Sequence, residues 1–278
     1  MAEILHVLGA LFDIRAFLLA GVVFIPLEQF FPLHAGQRTF RRWWRNDVIY
    51  VVANGVLIRA ALGTGMVAIL AVSGWVVPAG LRAAIAHQAC WLQVVEAVIL
   101  ADLGFYFAHR MFHSVQWLWR FHAIHHSIEE LDWLAAVRVH AFDQVVTKGT
   151  SMLPLLALGF DTAAIAISSG IYFWHSLLLH ANVRMDFGPL RWLIASPVFH
   201  HWHHAARPDA RGQNYAGQLS FLDKLFGTLH MPQGQLPDRY GADDSVPNGY
   251  LSQLLYPLKG DRQSPEADGV ADVPPRVL

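Results

Sequence analysis

Phe199–Pro208 reads FHHWHHAARP, with four histidines in five residues: His200, His201, His203 and His204. Residues three and four apart on a helix are neighbours on one face, about 5–6 Å between Cβ atoms. With His200 at zero on a helical wheel, His203 falls at about −60°, His204 at about +40° and His201 outside that arc at about +100°. The stretch thus predicts three imidazoles aimed at one point, with His201 turned away toward the interface or an anionic headgroup. Twelve of the 16 histidines lie between positions 109 and 204, and two more short patterns stand upstream. His109-Arg-Met-Phe-His113 is an i,i+4 pair. His122-Ala-Ile-His125-His126 repeats the HxxHH spacing, with Ala123 in the slot of His201.

Around these boxes the chain reads as a membrane protein. Of 278 residues, 54% are hydrophobic and 15% charged, against about 25% charged in a soluble domain. The net charge of −1 gives no basic field for nucleic acid. The lone Cys90 forms no internal disulfide, and no CxxC is present. The N-terminal MAEILHVLGALFDIRAF has neither a basic n-region nor a small-residue cleavage site, unlike a removable signal peptide. Apolar runs at Ala16–Leu33, about Val48–Val77 and about Trp91–Ala108 approach or exceed the roughly 20 residues that cross a bilayer as helix. Arg38, Arg41, Arg42 and Arg45 lie between the first two runs, and only Arg82 follows the second. The positive-inside rule puts the Arg38–Arg45 loop in the cytoplasm, with Trp43 and Trp44 at the interface. Arg59 lies inside the second run, where snorkelling or a polar partner would accommodate it.

The third run then delivers His109–His140 to the cytoplasmic face as surface helices. Val145–Phe160 and Asp161–Ala181 meet at Gly159-Phe160-Asp161 and read as a helical hairpin that enters the bilayer and returns, bringing His180 to the same face. The expected fold is an all-α integral membrane protein with about three transmembrane helices, a membrane hairpin and a cytoplasmic helical cap. Residues 1–232 form the membrane-embedded domain, and the Pro/Gly-rich tail 233–278 is expected to be loosely ordered.

Eight motif histidines packed without metal would repel one another when protonated or leave buried nitrogens unpaired. A pH switch does not require this spacing three times. A zinc site takes four ligands as a rule, so eight fit two metals better than one. HExxH and the ExxH of soluble di-iron bundles are absent, and a bis-histidine haem needs only two side chains. Imidazole suits zinc, copper, iron and nickel alike, so ligand type leaves the metal open. A histidine-rich membrane metal transporter or sensor is the alternative of another class, but it should spread its histidines across the membrane midplane. His6, His34, His87 and His230 read as ordinary polar residues.

HRMFH, HAIHH and HHWHH, in this order on a multi-span chain, resemble the fatty acid hydroxylase/sterol desaturase superfamily of membrane di-iron oxygenases. Arg138-Val-His140, His180-Ala-Asn182 and NYAGQLSFLDKLFGT (Asn214–Thr228) support the likeness, which covers about Glu28 to Thr228. The resemblance implies His109, His113, His122, His125, His126, His200, His203 and His204 as ligands of two iron ions. It adds His180 as a ninth, His140 as a further candidate and Asn182 as a supporting residue. His175, about 140° around the helix from His180, is off the ligand face. Asp102 stands two turns before His109, and a carboxylate within a span suggests an acceptor for the free ring N–H of a ligand histidine. The resemblance further implies O₂ as co-substrate, a lipid substrate attacked at a C–H bond by hydroxylation or desaturation, and electrons from a separate reductase or carrier protein. Alkylglycerol ether monooxygenase activity lies within the same superfamily. The bacterial inner membrane is favoured over the endoplasmic reticulum.

Overall fold

The computed structural model describes residues 14–259. The expectation for the N-terminal residues 1–13, and that for 260–278, fall outside the described residues. Ten α-helices and four short 3-10 turns make up the described chain, which contains no strand beyond two isolated bridges. In chain order the helices are α1 (Ile14–Phe30), α2 (Trp44–Val76), α3 (Ala79–Ala86), α4 (Cys90–Ser114), α5 (Gln116–His126), α6 (Ala141–Leu158), α7 (Thr162–His180), α8 (Pro197–His203), α9 (Phe221–Phe226) and α10 (Tyr250–Leu255).

Among the described residues three helices, α2, α4 and α7, are long and apolar enough to cross a membrane. The 33 residues of α2 extend about 50 Å, well beyond a hydrocarbon core of about 30 Å. Its pattern is inverted relative to a soluble protein. Val52, Val56, Leu57, Val67 and Trp75 are exposed, whereas Asn46, Asp47, Asn54 and Ser73 are buried. Apolar groups outward and polar groups inward is the arrangement a lipid surround favours. Arg59 is on the exposed side. The other expected run gives α1, which has 17 residues, carries Pro26 and ends at Phe30, short of the expected Leu33.

The bundle is centred on α4, which packs along α6 and α7, while α2 lies along α6. Gly104 permits the closest approach: a Cβ there would stand 2.4 Å from the Thr150 carbonyl oxygen of α6. One core cluster, with Ile58, Leu62, Met66, Met152, Leu155 and Ile165, fills the part of the bundle away from the histidines. A second, with Tyr106, Leu179, Phe199, Tyr215 and Leu222, seats the cap on the ends of α4 and α7. At the turn between α6 and α7, Gly159 takes the left-handed conformation (φ 87°), and Asp161 caps α7 by accepting from the Ala163 N–H at 2.7 Å.

Two segments differ from expectation. Arg41 is not a free loop charge: it is buried against Asp47 (2.7 Å) and Asp132 (2.9 Å), and Asp47 also holds Arg138. From Gln233 to Lys259 the chain lies mostly at the surface but is pinned at single buried residues. Tyr240 is buried, the Asn46 amide donates to Gln253 Oε1 (3.0 Å), and the Tyr50 hydroxyl donates to the same oxygen (2.9 Å). A few buried polar anchors order a segment whose composition reads as flexible.

Candidate metal centre

The first box stands at the end of α4, and Val115 alone separates α4 from α5. That sharp turn folds the second box back on the first, bringing His122 Nε2 within 3.0 Å of His109 Nε2. The third box lies on α8, a seven-residue helix started by Pro197 and capped by Ser196, whose hydroxyl accepts from the Phe199 N–H. The Asn214 side chain donates to the Phe199 and His230 carbonyls, fixing α8 to the cap. His180 closes α7 on the same side.

These elements assemble nine histidines into two groups. His109, His113, His122, His126 and His203 form one, and His125, His180, His200 and His204 the other. In each group the nitrogens that could hold an ion all lie within 4.8 Å of one another. The two groups touch, with the His126 and His204 rings stacked at 4.4 Å. The boxes do not each serve one point, as the wheel suggested. His122 and His126 belong to the five-histidine group and their neighbour His125 to the four-histidine group. His203 likewise parts from His200 and His204. Positions i+3 and i+4 diverge by about 100° around a helix, enough to reach two adjacent points.

The second ring nitrogens fix which nitrogen of each ring faces into its group. His125 Nδ1 donates to the Arg138 carbonyl (3.2 Å) and His180 Nδ1 to the Ser176 carbonyl (2.8 Å). A carbonyl only accepts, so each Nδ1 carries the proton and each Nε2 presents a bare lone pair. Those lone pairs face each other at 3.1 Å. The same opposition recurs at 3.0 Å between His109, whose Nδ1 donates to the Tyr215 carbonyl, and His122, whose Nδ1 donates to Asp143 Oδ2 at 2.6 Å. A shared proton would relieve it only by charging a ring. Burial, and then neighbouring imidazoles, push His125, His126, His200 and His204 well below the ordinary histidine range. Burial takes His203 down to about 3 despite the Gln213 carbonyl at its Nδ1. Neutral rings with converging lone pairs are in the form that binds a metal, so each group could hold an ion.

Several expected roles change. His201 is outside both groups but does not turn to the interface: it is fully buried, its Nε2 donating to the Ala181 carbonyl (3.0 Å) and its Nδ1 accepting from the Tyr240 hydroxyl (2.7 Å). His140 is no ligand here, because Nε2 donates to the Leu254 carbonyl and Nδ1 accepts from the Phe142 N–H. His175 donates to the Ala195 carbonyl, apart from the groups. Asp102 touches no histidine. It accepts the N–H groups of Gly217, Gln218 and Leu219 at 2.7–3.0 Å. A Cβ on Gly217 would meet Phe105 at 2.9 Å, so the approach requires glycine. Asn182 bonds the His34 backbone in both directions and likewise reaches no ligand ring.

Among the described residues, the carboxylate that meets a ring of either group is Asp143, in the first turn of α6. Its position after Arg138-Val-His140 gave a signal of the same kind as Asp102, an acid beside an apolar run. The pairing with His122, 21 residues away, appears only in the fold.

A cleft offering about 1230 Å³, part of it open to the surroundings, reaches both groups. His109, His122, His125, His180 and His200 line one end, and Phe17, Val51, Phe105, Phe173 and Leu177 supply apolar wall.

A family model for fatty acid hydroxylase matches residues 94–228. An ornithine lipid hydroxylase of Rhizobium tropici is 30% identical over 269 residues, covering 90% of this chain and 80% of that protein. Human alkylglycerol monooxygenase is 33% identical over 134 residues, 48% of this chain and 30% of that one. A putative methylsterol monooxygenase of Dictyostelium discoideum is 27% identical over 140 residues, 49% of this chain and 51% of that one. No solved structure matches the chain significantly.

Proposed function

The chain belongs to the fatty acid hydroxylase family, and from that premise we propose that it is a membrane-bound, O₂-dependent oxidoreductase that acts on a C–H bond of a lipid with two iron ions. The observation that carries the reading is the pair of converging bare-nitrogen groups at one end of a mostly apolar cleft. Iron bound there would supply the reduction of O₂ and the attack on an unactivated C–H bond. The five-histidine group would hold one ion and the four-histidine group the other. Asp143 keeps the proton of His122 on Nδ1, and the Arg138, Ser176, Gln213 and Tyr215 carbonyls do the same for His125, His180, His203 and His109. Each ring is thereby held in the ligating tautomer. The apolar wall positions the chain of the substrate and excludes water.

Hydroxylation is preferred over desaturation, since the relatives are named hydroxylases and monooxygenases. Its balance is R–H plus O₂, two electrons and two protons giving R–OH and water. The electrons come from a separate reductase or carrier. The α6–α7 pair is read as the membrane hairpin, with the histidines on the cytoplasmic face beside Arg38, Arg42 and Arg45. A bacterial inner membrane suits the Rhizobium relative. The test is lipidomics of cells with and without the gene. A lipid that gains one oxygen atom supports the reading, loss of two hydrogens indicates desaturation, and loss of an ether chain as aldehyde indicates the alkylglycerol reaction. An unchanged lipidome from an expressed, iron-loaded protein overturns it.

A further inference from the structure

The cleft wall is not uniformly apolar. On α6 it presents Asp143, Gln144, Thr147 and Lys148, and on α7 Ser169, Tyr172 and Ser176. Gln144 and Lys148 are one turn apart, and Ser169, Tyr172 and Ser176 follow at i, i+3 and i+7, so each set shares one helix face. Both helices pack against α4, a candidate membrane span. Lys148 is the single lysine or arginine on this wall among the described residues, and its Nζ stands 5.5 Å from the centre of the Tyr172 ring.

The polar groups elsewhere in the cleft are already committed. The Asn54 amide donates to the Val139 carbonyl and its oxygen accepts from Tyr250, Tyr50 bonds Gln253, Thr147 bonds the Asp143 carbonyl, and Asp143 is engaged by His122. By contrast, the side chains of Gln144, Ser169 and Ser176 and the Tyr172 hydroxyl make no hydrogen bond to the chain among the described residues. A hydrocarbon chain has no use for such groups, and polar groups left unmatched at membrane depth are costly. The Lys148 Cα lies only about 7.5 Å along α6 from that of Asp143, the partner of His122.

We propose that Lys148, with Gln144, Ser169 and Tyr172 around it, forms a subsite for an anionic group of the lipid, a carboxylate or a phosphate. The proposal rests on the lipid-oxidising reading, and names the class of lipid: one that carries its acidic group into the cleft, close to the carbon that reacts. An ammonium with uncommitted hydroxyl and amide donors around it is matched to an oxyanion, which accepts from all of them.

The test is equilibrium binding of radiolabelled dodecanoate to the full chain in neutral detergent, competed by dodecyl phosphate and by dodecanol. It needs no turnover, so failure here leaves the oxidase reading standing, and metal content is read separately. One or both anions should bind roughly tenfold or more tightly than dodecanol, and the better competitor identifies carboxylate or phosphate as the source. Lys148→Gln should bring the anion down to the affinity of dodecanol without altering dodecanol itself. Lys148→Arg should keep the preference. Equal binding of anion and alcohol by the unmodified chain overturns the proposal even if Lys148→Gln does not fold, as does a preference that survives Lys148→Gln.

Discussion

The two histidine groups share the same ligand type and adjoin one another, yet the protein supports them differently. In the five-histidine group three rings are backed, by the Tyr215 carbonyl, Asp143 and the Gln213 carbonyl. In the four-histidine group two rings are backed, both by carbonyls, and the Nδ1 atoms of His200 and His204 are buried without a partner. Among the described residues only the first group has a charged supporter. Partners behind the ligating ring orient it and raise its basicity. The comparison therefore predicts unequal sites, with the four-histidine group holding its ion less firmly.

The largest effect should come from deleting one ligand on each side. His180→Ala leaves three histidines in the weaker group, of which only His125 is backed. His113→Ala leaves four in the stronger group, three of them backed. Elemental analysis after anaerobic iron reconstitution should give about two ions per chain for the unmodified protein and for His113→Ala, but about one for His180→Ala. Activity should fall to background in the His180 variant. Equal metal loss in both would mean that the groups do not act as separate sites.

Asp143→Asn sharpens the comparison by removing the one charged supporter. The amide can still occupy the space beside His122 but no longer offers a carboxylate to its Nδ1–H. Metal affinity or activity should fall about 10–100-fold, with the loss confined to the ion of the five-histidine group. Titration with a chelator checks this: the order in which the two ions leave should become less distinct or reverse. An unchanged order would assign Asp143 to fold stability alone.

What the sequence disclosed of this site follows from what helix periodicity encodes. The boxes marked eight of the nine histidines because i+3 and i+4 spacing is local, and the ninth, His180, came from the resemblance alone. Their division between two groups was hidden, since HxxHH serves one point or two according to how neighbouring helices are placed. The supporters were hidden for a different reason. Tyr215 and Gln213 act through backbone carbonyls, which every residue carries, so no side-chain motif marks them. The spans α2 and α4 were legible from apolar length, whereas the course of residues 233–259 depends on single anchors such as Tyr240 and Gln253 in a Pro- and Gly-rich background.

Asp102 shows the same limit, and it offers a smaller test. Its position two turns before His109 suggested direct support of a ligand, but its oxygens grip the 217–219 backbone. Its connection to the site runs through the adjoining Tyr215, whose carbonyl accepts from His109. Asp102→Asn retains one acceptor oxygen for three N–H groups. Leaving a buried donor unmatched costs about 1–3 kcal/mol. The variant should unfold at lower temperature, while the folded fraction keeps both ions and loses less metal affinity than Asp143→Asn. A loss of metal as large as that of Asp143→Asn, without lower stability, would restore the direct role.

His201 gives the smallest expected effect on the metals and separates packing from ligation within one box. The Tyr240 hydroxyl lies between His34 Nε2 and His201 Nδ1, while His201 Nε2 holds the Ala181 carbonyl next to His180. This chain of bonds ties the segment before α2, the 233–259 segment, α8 and the end of α7 together. Burial pushes the His201 ring down to about 3, so it serves as a neutral donor and acceptor. His201→Ala leaves the Ala181 carbonyl unpaired and opens space in a buried site. Stability should drop by about 1–3 kcal/mol from the lost bonds, with both ions retained. His200→Ala, at the adjacent position, removes a member of the four-histidine group and should lose that group's ion. Thermal unfolding and elemental analysis of the two variants side by side distinguish the cases, and equal metal loss would place His201 among the ligands.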